Sequence, residues 1–310
     1  MTQKEEESIP HSTSTFKQQK LYSCRFFLTP CTSSIIYFVM SGVCLILGIC
    51  YIIANQDTWE KEIRYDDICD NQDTCTINLD VEEDHKSELF VYYKLTKFYQ
   101  SNFMYTSSKN WGQLEGEYES EKDLSQCQPL LKVDNTILAP CGALPHSIFN
   151  DTFDFDSAFP IIEKTGISEP KTKKFFKEPN SQYDGLGNWL KNNPMFPEGQ
   201  QDERFVNWVQ TAAFPTFRKL WGRTNKQVEL KKGRYTITIH NNYPVKSFKG
   251  QKSLIFAEDA WIGGRNKFTG IFFMVLFGLS LILGVVTLIL YFTNTFTLYR
   301  RIKNLDVEHL

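Results

Sequence analysis

Two stretches of this chain carry no charged residue: residues 35–54 (IIYFVMSGVCLILGICYIIA) and residues 268–292 (FTGIFFMVLFGLSLILGVVTLILYF). At a rise of 1.5 Å per residue, about twenty apolar residues cross a hydrocarbon core of about 30 Å. A secretory signal would lie nearer the start, be shorter, and end at small residues, which Cys50-Tyr51-Ile52-Ile53 is not. Both runs therefore read as membrane spans. The mean hydropathy of the whole chain is only -0.33, so these two runs sit in an otherwise hydrophilic protein, not in a many-span transporter. A net charge of -2, from 34 basic and 36 acidic residues, lacks the basic excess of a nucleic-acid binder.

Flanking charge sets the orientation. Lys17, Lys20 and Arg25 precede the first span, and Arg300, Arg301 and Lys303 follow the second. Excess Lys and Arg on both outer flanks places both termini in the cytoplasm, as an even number of spans also requires. The expected layout is a cytoplasmic tail (1–34), a first span (35–54), a luminal or extracellular domain (55–267), a second span (268–292) and a second cytoplasmic tail (293–310).

The cysteines agree with that layout. Cys69, Cys75, Cys127 and Cys141 fall in the loop, an even number in the compartment where disulfides persist. Four cysteines allow three connectivities, of which sequence neighbours, Cys69–Cys75 and Cys127–Cys141, are the simplest. Cys24, Cys31, Cys44 and Cys50 lie in or beside the first span, and palmitoylation at Cys24 and Cys31 stays open. Asn150-Asp151-Thr152 is an N-x-[ST] triplet in the luminal segment, which makes Asn150 a candidate glycan acceptor.

The luminal segment reads as β-rich. Residues 89–103 begin as a Tyr- and Phe-rich strand, residues 233–239 (GRYTITI) alternate cleanly, and residues 253–256 give another strand. Alternation with one polar face predicts antiparallel sheet. Asp202 as N-cap, with Phe205, Trp208, Val209 and Ala212 following at helical spacing, predicts one helix that Pro215 ends. Residues 151–201 read as long loops. The expected fold is two transmembrane helices plus a large α+β luminal domain, mainly an antiparallel β-sandwich with helical insertions.

Catalytic constellations are hard to find. The luminal histidines are His85, His146 and His240, without HExxH spacing, and neither a G-x-S-x-G elbow nor a P-loop is present. Gly185-Leu186-Gly187 lacks the third glycine of a dinucleotide site. Asp66, Asp67, Asp70 and Asp73 lack the Gly and Glu of a calcium loop and read as a solvated turn. Lys171, Lys173, Lys174 and Lys177, interleaved with Phe175 and Phe176, read as a solvated loop more readily than as a patch for an acidic partner. No cofactor or metal is expected. In the spans, Cys44 and Gly48, and Ser280 and Gly284, set small residues four apart, a spacing that permits close helix approach.

Five segments then form a family pattern. Tyr92-Tyr93-x-Leu95-x-x-Phe98-Tyr99-Gln100 resembles a YYxLxNFYQN stretch. Pro140-Cys141-Gly142 followed by residues 147–153 (SIFNDTF) resembles PCG…S-x-FNDT. Phe205-Val206-x-Trp208 with residues 211–223 (TAAFPTFRKLWGR) resembles a helix and RTAALPTFRKLYGRI block. Tyr243-Pro244-Val245, Phe248, Gly250 and Lys252 resemble YPV..F.G.K, and residues 261–266 (WIGGRN) resemble WIGGKN. The chain thus resembles the cell cycle control protein 50 family, the accessory (β) subunits of type IV P-type ATPases that move phospholipids. It departs from that pattern at residues 101–105, SNFMY where the family reads NHRRY. It also has two cysteines, not four, near the first span's exit, and one glycan triplet instead of several.

The resemblance implies a non-catalytic subunit of a heterodimer, with the nucleotide site on the partner ATPase and membrane lipids as the cargo. Its role would be in partner folding, exit from the endoplasmic reticulum and the transport cycle. The location would be the endoplasmic reticulum, Golgi or endosomal membranes, or the plasma membrane. Partner contact is expected at Trp261, Gly263, Gly264 and Asn266 before the second span, and at Gly278 and Gly284 within it. The rival classes are a two-span ligand-gated channel subunit, which needs pore-lining polar groups that these spans barely supply, and a glycan-modifying ectoenzyme.

Overall fold

The computed structural model describes residues 29–56, 58–183, 185–225, 229–258 and 265–293. The basic flanks, Cys24, Trp261, Gly263 and Gly264 lie outside the described residues. Among the described residues ten strands are formed: β1 (Glu60–Arg64), β2 (Thr74–Val81), β3 (Leu89–Leu95), β4 (Lys132–Val133), β5 (Thr136–Ile137), β6 (Thr152–Phe155), β7 (Ile162–Glu163), β8 (Phe217–Thr224), β9 (Gly233–His240) and β10 (Lys252–Glu258). Seven α-helices accompany them: α1 (Pro30–Gln56), α2 (Phe103–Ser107), α3 (Trp111–Leu114), α4 (Ala143–His146), α5 (Pro170–Lys173), α6 (Glu203–Val209) and α7 (Lys267–Phe292). The chain divides into two units, Ile53–Lys267 and the pair of long helices.

In the first unit the strands make a five-stranded sheet, ordered β1-β10-β3-β8-β7, and a three-stranded sheet, ordered β2-β9-β6. Every pairing is antiparallel. Burial alternates strictly along β2 and β3, so one face of each strand enters the core. Strand β10, which lies inside the larger sheet, is buried on both faces from Lys252 to Ala257. The two sheets meet through aromatic side chains: Phe153 of β6 lies edge-on to Trp221 of β8 at 5.1 Å, and Phe155 to Phe256 of β10 at 6.3 Å. This is the antiparallel sandwich that the alternating pattern predicts. A smaller core of Leu124, Cys127, Leu131, Leu138 and Cys141 sits apart from the main one.

Helix α6 begins where its sequence signals place it, with the Asp202 side chain accepting from the Arg204 N–H at 3.0 Å. It stops at Val209, before Ala212 and Pro215. Two captures end it early: the Lys219 ammonium takes the carbonyls of Asn207 (2.6 Å), Trp208 (3.1 Å) and Gln210, while the Ala212 N–H donates to the Gln100 side chain at 2.9 Å. Once those carbonyls are satisfied by a cation, continuing the helix gains nothing. Residues 151–201 are mostly loop, but they also hold β6, β7 and α5.

At the start of α6, Glu203 accepts from the Ile167 (2.6 Å) and Ser168 (2.8 Å) N–H groups and from the Lys173 ammonium (2.9 Å). Burial opposes its ionisation, but the Ser168 N–H, the Lys173 ammonium and neighbouring amides outweigh that and hold its pKa at about 2. A carboxylate held that low stabilises the fold above its unfolded value near 4.5 and loses the contribution as pH falls toward 2. We expect Glu203→Gln to lower stability by about 1–2 kcal/mol near neutral pH, a figure reduced because Lys173 is partly screened by solvent. The deficit should vanish between pH 4 and about 2. Urea midpoints of the two proteins against pH check this; parallel curves would refute it.

In the second unit, α1 and α7 pack on each other through small residues. Ser34, Ser41, Cys44 and Gly48 are the buried positions of α1 within this pair, and Gly270 and Gly284 those of α7. A Cβ on Gly48 would lie 2.9 Å from Met274 Sδ, and one on Gly284 would lie 3.3 Å from the Phe38 ring, so glycine permits the close approach. Ser34 and Thr287 share a hydroxyl–hydroxyl bond at 2.9 Å. Ser34, Ser41 and Gly48 recur every seven residues, the period that keeps one seam facing a partner helix. The remaining surface of both helices is apolar and exposed, including Ile35, Val39, Ile46, Ile271, Val275 and Ile282.

Candidate partner-binding faces

The family-like segments, distant in sequence, converge on one buried ion pair. Lys252, the first residue of β10, is 1% exposed, and Asp151, just before β6, is also 1% exposed. Lys252 Nζ lies 2.6 Å from Asp151 Oδ2, 2.5 Å from Asn241 Oδ1 and 2.8 Å from the Tyr243 carbonyl. The other oxygen of Asp151 accepts the backbone N–H groups of Asn242 and Tyr243, both at 2.6 Å. Tyr65 donates its hydroxyl to Asp151 Oδ2 at 2.8 Å. Burial lowers the Lys252 pKa, and the Asp151 carboxylate counteracts it. Burial, reinforced by Asp151, raises the Tyr65 pKa well above its ordinary value, so the phenol stays a donor. Every charge here is paired and hydrogen-bonded, the condition under which burial is tolerated.

This hub ties together the disulfide loop, the glycan triplet and the YPV segment. Cys69 and Cys75 are bonded, as are Cys127 and Cys141. Asn241, which accepts from Lys252, donates its amide to the carbonyls of Cys69 (3.0 Å) and Gln72 (2.9 Å). Asn150 is half-buried beside Asp151, and its carbonyl accepts from Asn242 at 3.2 Å. We expect Asn150→Gln to remove one glycosidase-sensitive step in gel mobility from protein made in a secretory pathway; unchanged mobility would show that Asn150 carries no glycan.

The PCG segment has a steric explanation. Gly142 has φ +104°, and a Cβ there would sit 2.1 Å from the Ser108 carbonyl oxygen. Trp189 donates to the neighbouring Pro140 carbonyl at 2.9 Å, closing the small core over the Cys127–Cys141 bridge. The FRKLWG segment places Lys219 on the inner face of β8, where its amine donates to three carbonyls at the end of α6; burial brings its pKa down to about 7.

Of the residues named as partner contacts, Gly284 packs against Phe38 of α1, whereas a Cβ on Gly278 would meet nothing within 4 Å. Asn266 is exposed, and its N–H donates to Asn55 Oδ1 at 2.8 Å. In the lysine run, Lys173 is held by Glu203 and Phe176 is buried, which leaves Phe175 exposed beside Lys171, Lys174 and Lys177. Asp66, Asp67, Asp70 and Asp73 rim an open cleft, with Asp66 bonded to Arg64 at 2.7 Å and Asp70 paired with Lys246. Among the described residues no group of three or more His, Cys, Asp and Glu side chains is arranged to hold a metal.

One exposed apolar group on the β-rich unit was not foreseen. Tyr99, Phe103, Met104 and Phe214 are 63, 82, 80 and 75% exposed. Their two loops are tied together by the Phe98 N–H to Pro215 carbonyl bond at 3.0 Å and by the Gln100–Ala212 bond. They lie at the end of the larger sheet where Leu95 pairs with Phe217, opposite the end where β1 begins and β10 finishes. Contiguous exposed aromatics of this kind mark protein-contact surfaces more often than solvent-facing ones. Phe103 and Met104 fall in the SNFMY departure, so the signal was present in the sequence as a mismatch.

Comparison with known proteins places these features. A family model described as the LEM3 (ligand-effect modulator 3) family / CDC50 family matches residues 53–296. The chain is 32% identical to cell cycle control protein 50A of Bos taurus, over 89% of this chain and 87% of that protein. It is 31% identical to ALA-interacting subunit 3 of Arabidopsis thaliana, over 90% and 85% of the two chains. It is 30% identical to cell cycle control protein 50C of Bos taurus, over 93% of each.

Proposed function

The chain belongs to the LEM3/CDC50 family, and from that membership we propose that it is the non-catalytic accessory subunit of a phospholipid-translocating P-type ATPase. The observation that carries this reading is the extent of the match, residues 53–296, which takes in the whole β-rich unit and α7. The partner ATPase supplies the nucleotide chemistry. This subunit supplies a stiff luminal cap and two membrane helices, supports the partner's folding and exit from the endoplasmic reticulum, and stays with it through the transport cycle as lipid moves to the cytoplasmic leaflet.

The basic residues outside both spans support cytoplasmic termini, which puts the β-rich unit on the luminal or extracellular side. Two disulfides fit that compartment. The exposed apolar faces of α1 and α7, with open space at Gly42 and Gly278, suit packing against a transmembrane bundle. Tyr99, Phe103, Met104 and Phe214 suit a luminal loop of the partner. Cells lacking this chain should retain a P-type ATPase in the endoplasmic reticulum and lose one phospholipid uptake activity at the membrane where that ATPase works. Normal ATPase delivery and normal uptake in such cells would overturn the reading.

A further inference from the structure

Strand β2 forms one edge of the three-stranded sheet and is paired on one side only, with β9. Its free side follows from the register. The Asn241 N–H donates to the Asp73 carbonyl at 2.8 Å, and the Asp156 N–H to the Thr236 carbonyl at 3.1 Å. Hydrogen-bonded residues alternate along an antiparallel pair, so β9 turns its odd-numbered residues toward β2 and its even-numbered ones toward β6. On β2 the backbone groups of Cys75, Ile77 and Leu79 are thus engaged by Ile239, Ile237 and Tyr235, and those of Thr74, Thr76, Asn78 and Asp80 point away from the sheet. These four residues are exposed, and among the described residues no hydrogen bond meets their outward N–H and carbonyl groups.

Sheets usually blunt such an edge with a short strand, a lysine, a proline or a bulge. The other edge strands of the two sheets are short: β6 has 4 residues, β1 has 5 and β7 has 2. Strand β2 has 8, in unbroken register with β9, and contains no Pro, Gly or Lys. The Cys69–Cys75 bridge pins its start, and the buried Cys75, Ile77, Leu79 and Val81 fix its inner face. A rigid edge holds its backbone donors and acceptors already in place, which lowers the ordering cost of adding a strand.

Charge selects the occupant. Asp70 and Asp73 precede β2, Asp80 lies within it, and Glu82, Glu83 and Asp84 follow it, all exposed. Asp70 pairs with Lys246 and Asp80 with Arg234, whereas among the described residues Asp73, Glu82 and Glu83 enter no ion pair. The exposed Lys231 and Lys232 precede β9, on the paired side of β2. A second copy of this chain, paired antiparallel across a two-fold axis, would bring Asp73 against the acidic residues that follow β2, an unfavourable like-charge contact. We propose that the outer edge of β2 receives an extended segment of a different protein, alternating apolar and polar residues and carrying Lys or Arg at both ends. Its apolar side chains continue the row of Cys75, Ile77, Leu79 and Val81, and its polar ones continue that of Thr74, Thr76, Asn78 and Asp80. The inference rests on this edge alone and is independent of which ATPase the chain accompanies.

The test titrates the full-length chain in detergent into a fluorescein-labelled peptide of alternating Val and Thr with Lys at both ends, read by anisotropy. Saturable binding is expected, about tenfold tighter than for the same peptide with Glu ends, and lost when alternate backbone nitrogens of the peptide are methylated. Amide exchange read by mass spectrometry should slow across residues 74–80 when the peptide is bound. Asn78→Pro removes an outward N–H without touching the ladder to β9 and should abolish binding. Because a proline could also disturb folding, the exposed pair Glu82→Lys and Glu83→Lys is measured as well. It should weaken the Lys-ended peptide about fivefold with an unchanged melting temperature. Absence of saturable binding, equal binding of the methylated peptide, protection away from β2, wild-type binding by a folded Asn78→Pro protein, or unchanged binding by the two-lysine variant would each overturn the proposal. A dimer of the chain that Asn78→Pro dissociates would assign the edge to a second copy and would overturn it as well.

Discussion

Lys252→Met is expected to destabilise the β-rich unit by about 3–5 kcal/mol, the range for removing one partner of a buried ion pair. The reason is geometric. Asp151 is 1% exposed, and without the ammonium it keeps only the Tyr65 hydroxyl and two backbone N–H groups for a full negative charge. Asn241 and the Tyr243 carbonyl lose their donor at the same time. The effect should spread, because Asn241 also holds the loop closed by Cys69–Cys75. Urea denaturation of the purified chain measures the loss. Lys252→Met combined with Asp151→Asn removes both charges and should recover part of it, since a buried pair contributes less than the cost of breaking it. Equal stability of the single variant and wild type would show that the hub does not hold the domain together.

Cys127→Ser should cost about 2–5 kcal/mol and leave the protein in the endoplasmic reticulum. Both sulfurs are wholly buried in the small core with Leu124, Leu131 and Leu138, and the bridge spans a sequence separation of 14. The strands of this segment are only the two-residue β4 and β5. The variant therefore loses the main constraint on its unfolded ensemble and exposes a thiol and a hydroxyl in an apolar pocket. Endoglycosidase sensitivity and microscopy report retention; delivery like wild type would contradict this role for the bridge.

How much of this was legible beforehand depends on the range of the interaction. The spans were plain, because an uncharged run of that length has few other uses; α1 begins five residues before its run and ends two after it, and α7 begins one residue before its run. Strand β9 was equally plain from its alternation. Strand β8 was hidden because its pattern, BeBiBBiB in burial, places Lys219 inward, where an alternation argument reads a lysine as exposed. That lysine faces inward to cap α6, which also explains why α6 stops before Ala212. Strand β6 was hidden inside the glycan triplet and its flanks. The Asp151–Lys252 pair joins residues 101 apart, so no spacing rule could propose it. The family pattern contained both residues without saying that they touch. The small-residue seam was half visible: the four-residue spacing of Cys44 and Gly48 was read, but the seven-residue recurrence of Ser34, Ser41 and Gly48 is what faces α7.

As proposed, this chain is one half of a heterodimer whose other half does the chemistry. Purification of the tagged full-length chain from its native membranes in mild detergent, followed by mass determination and identification of what co-elutes, tests it most directly. One large P-type ATPase polypeptide at equal stoichiometry is expected. A homotrimer would favour the channel class, a lone monomer would favour an independent ectoenzyme, and either would contradict it.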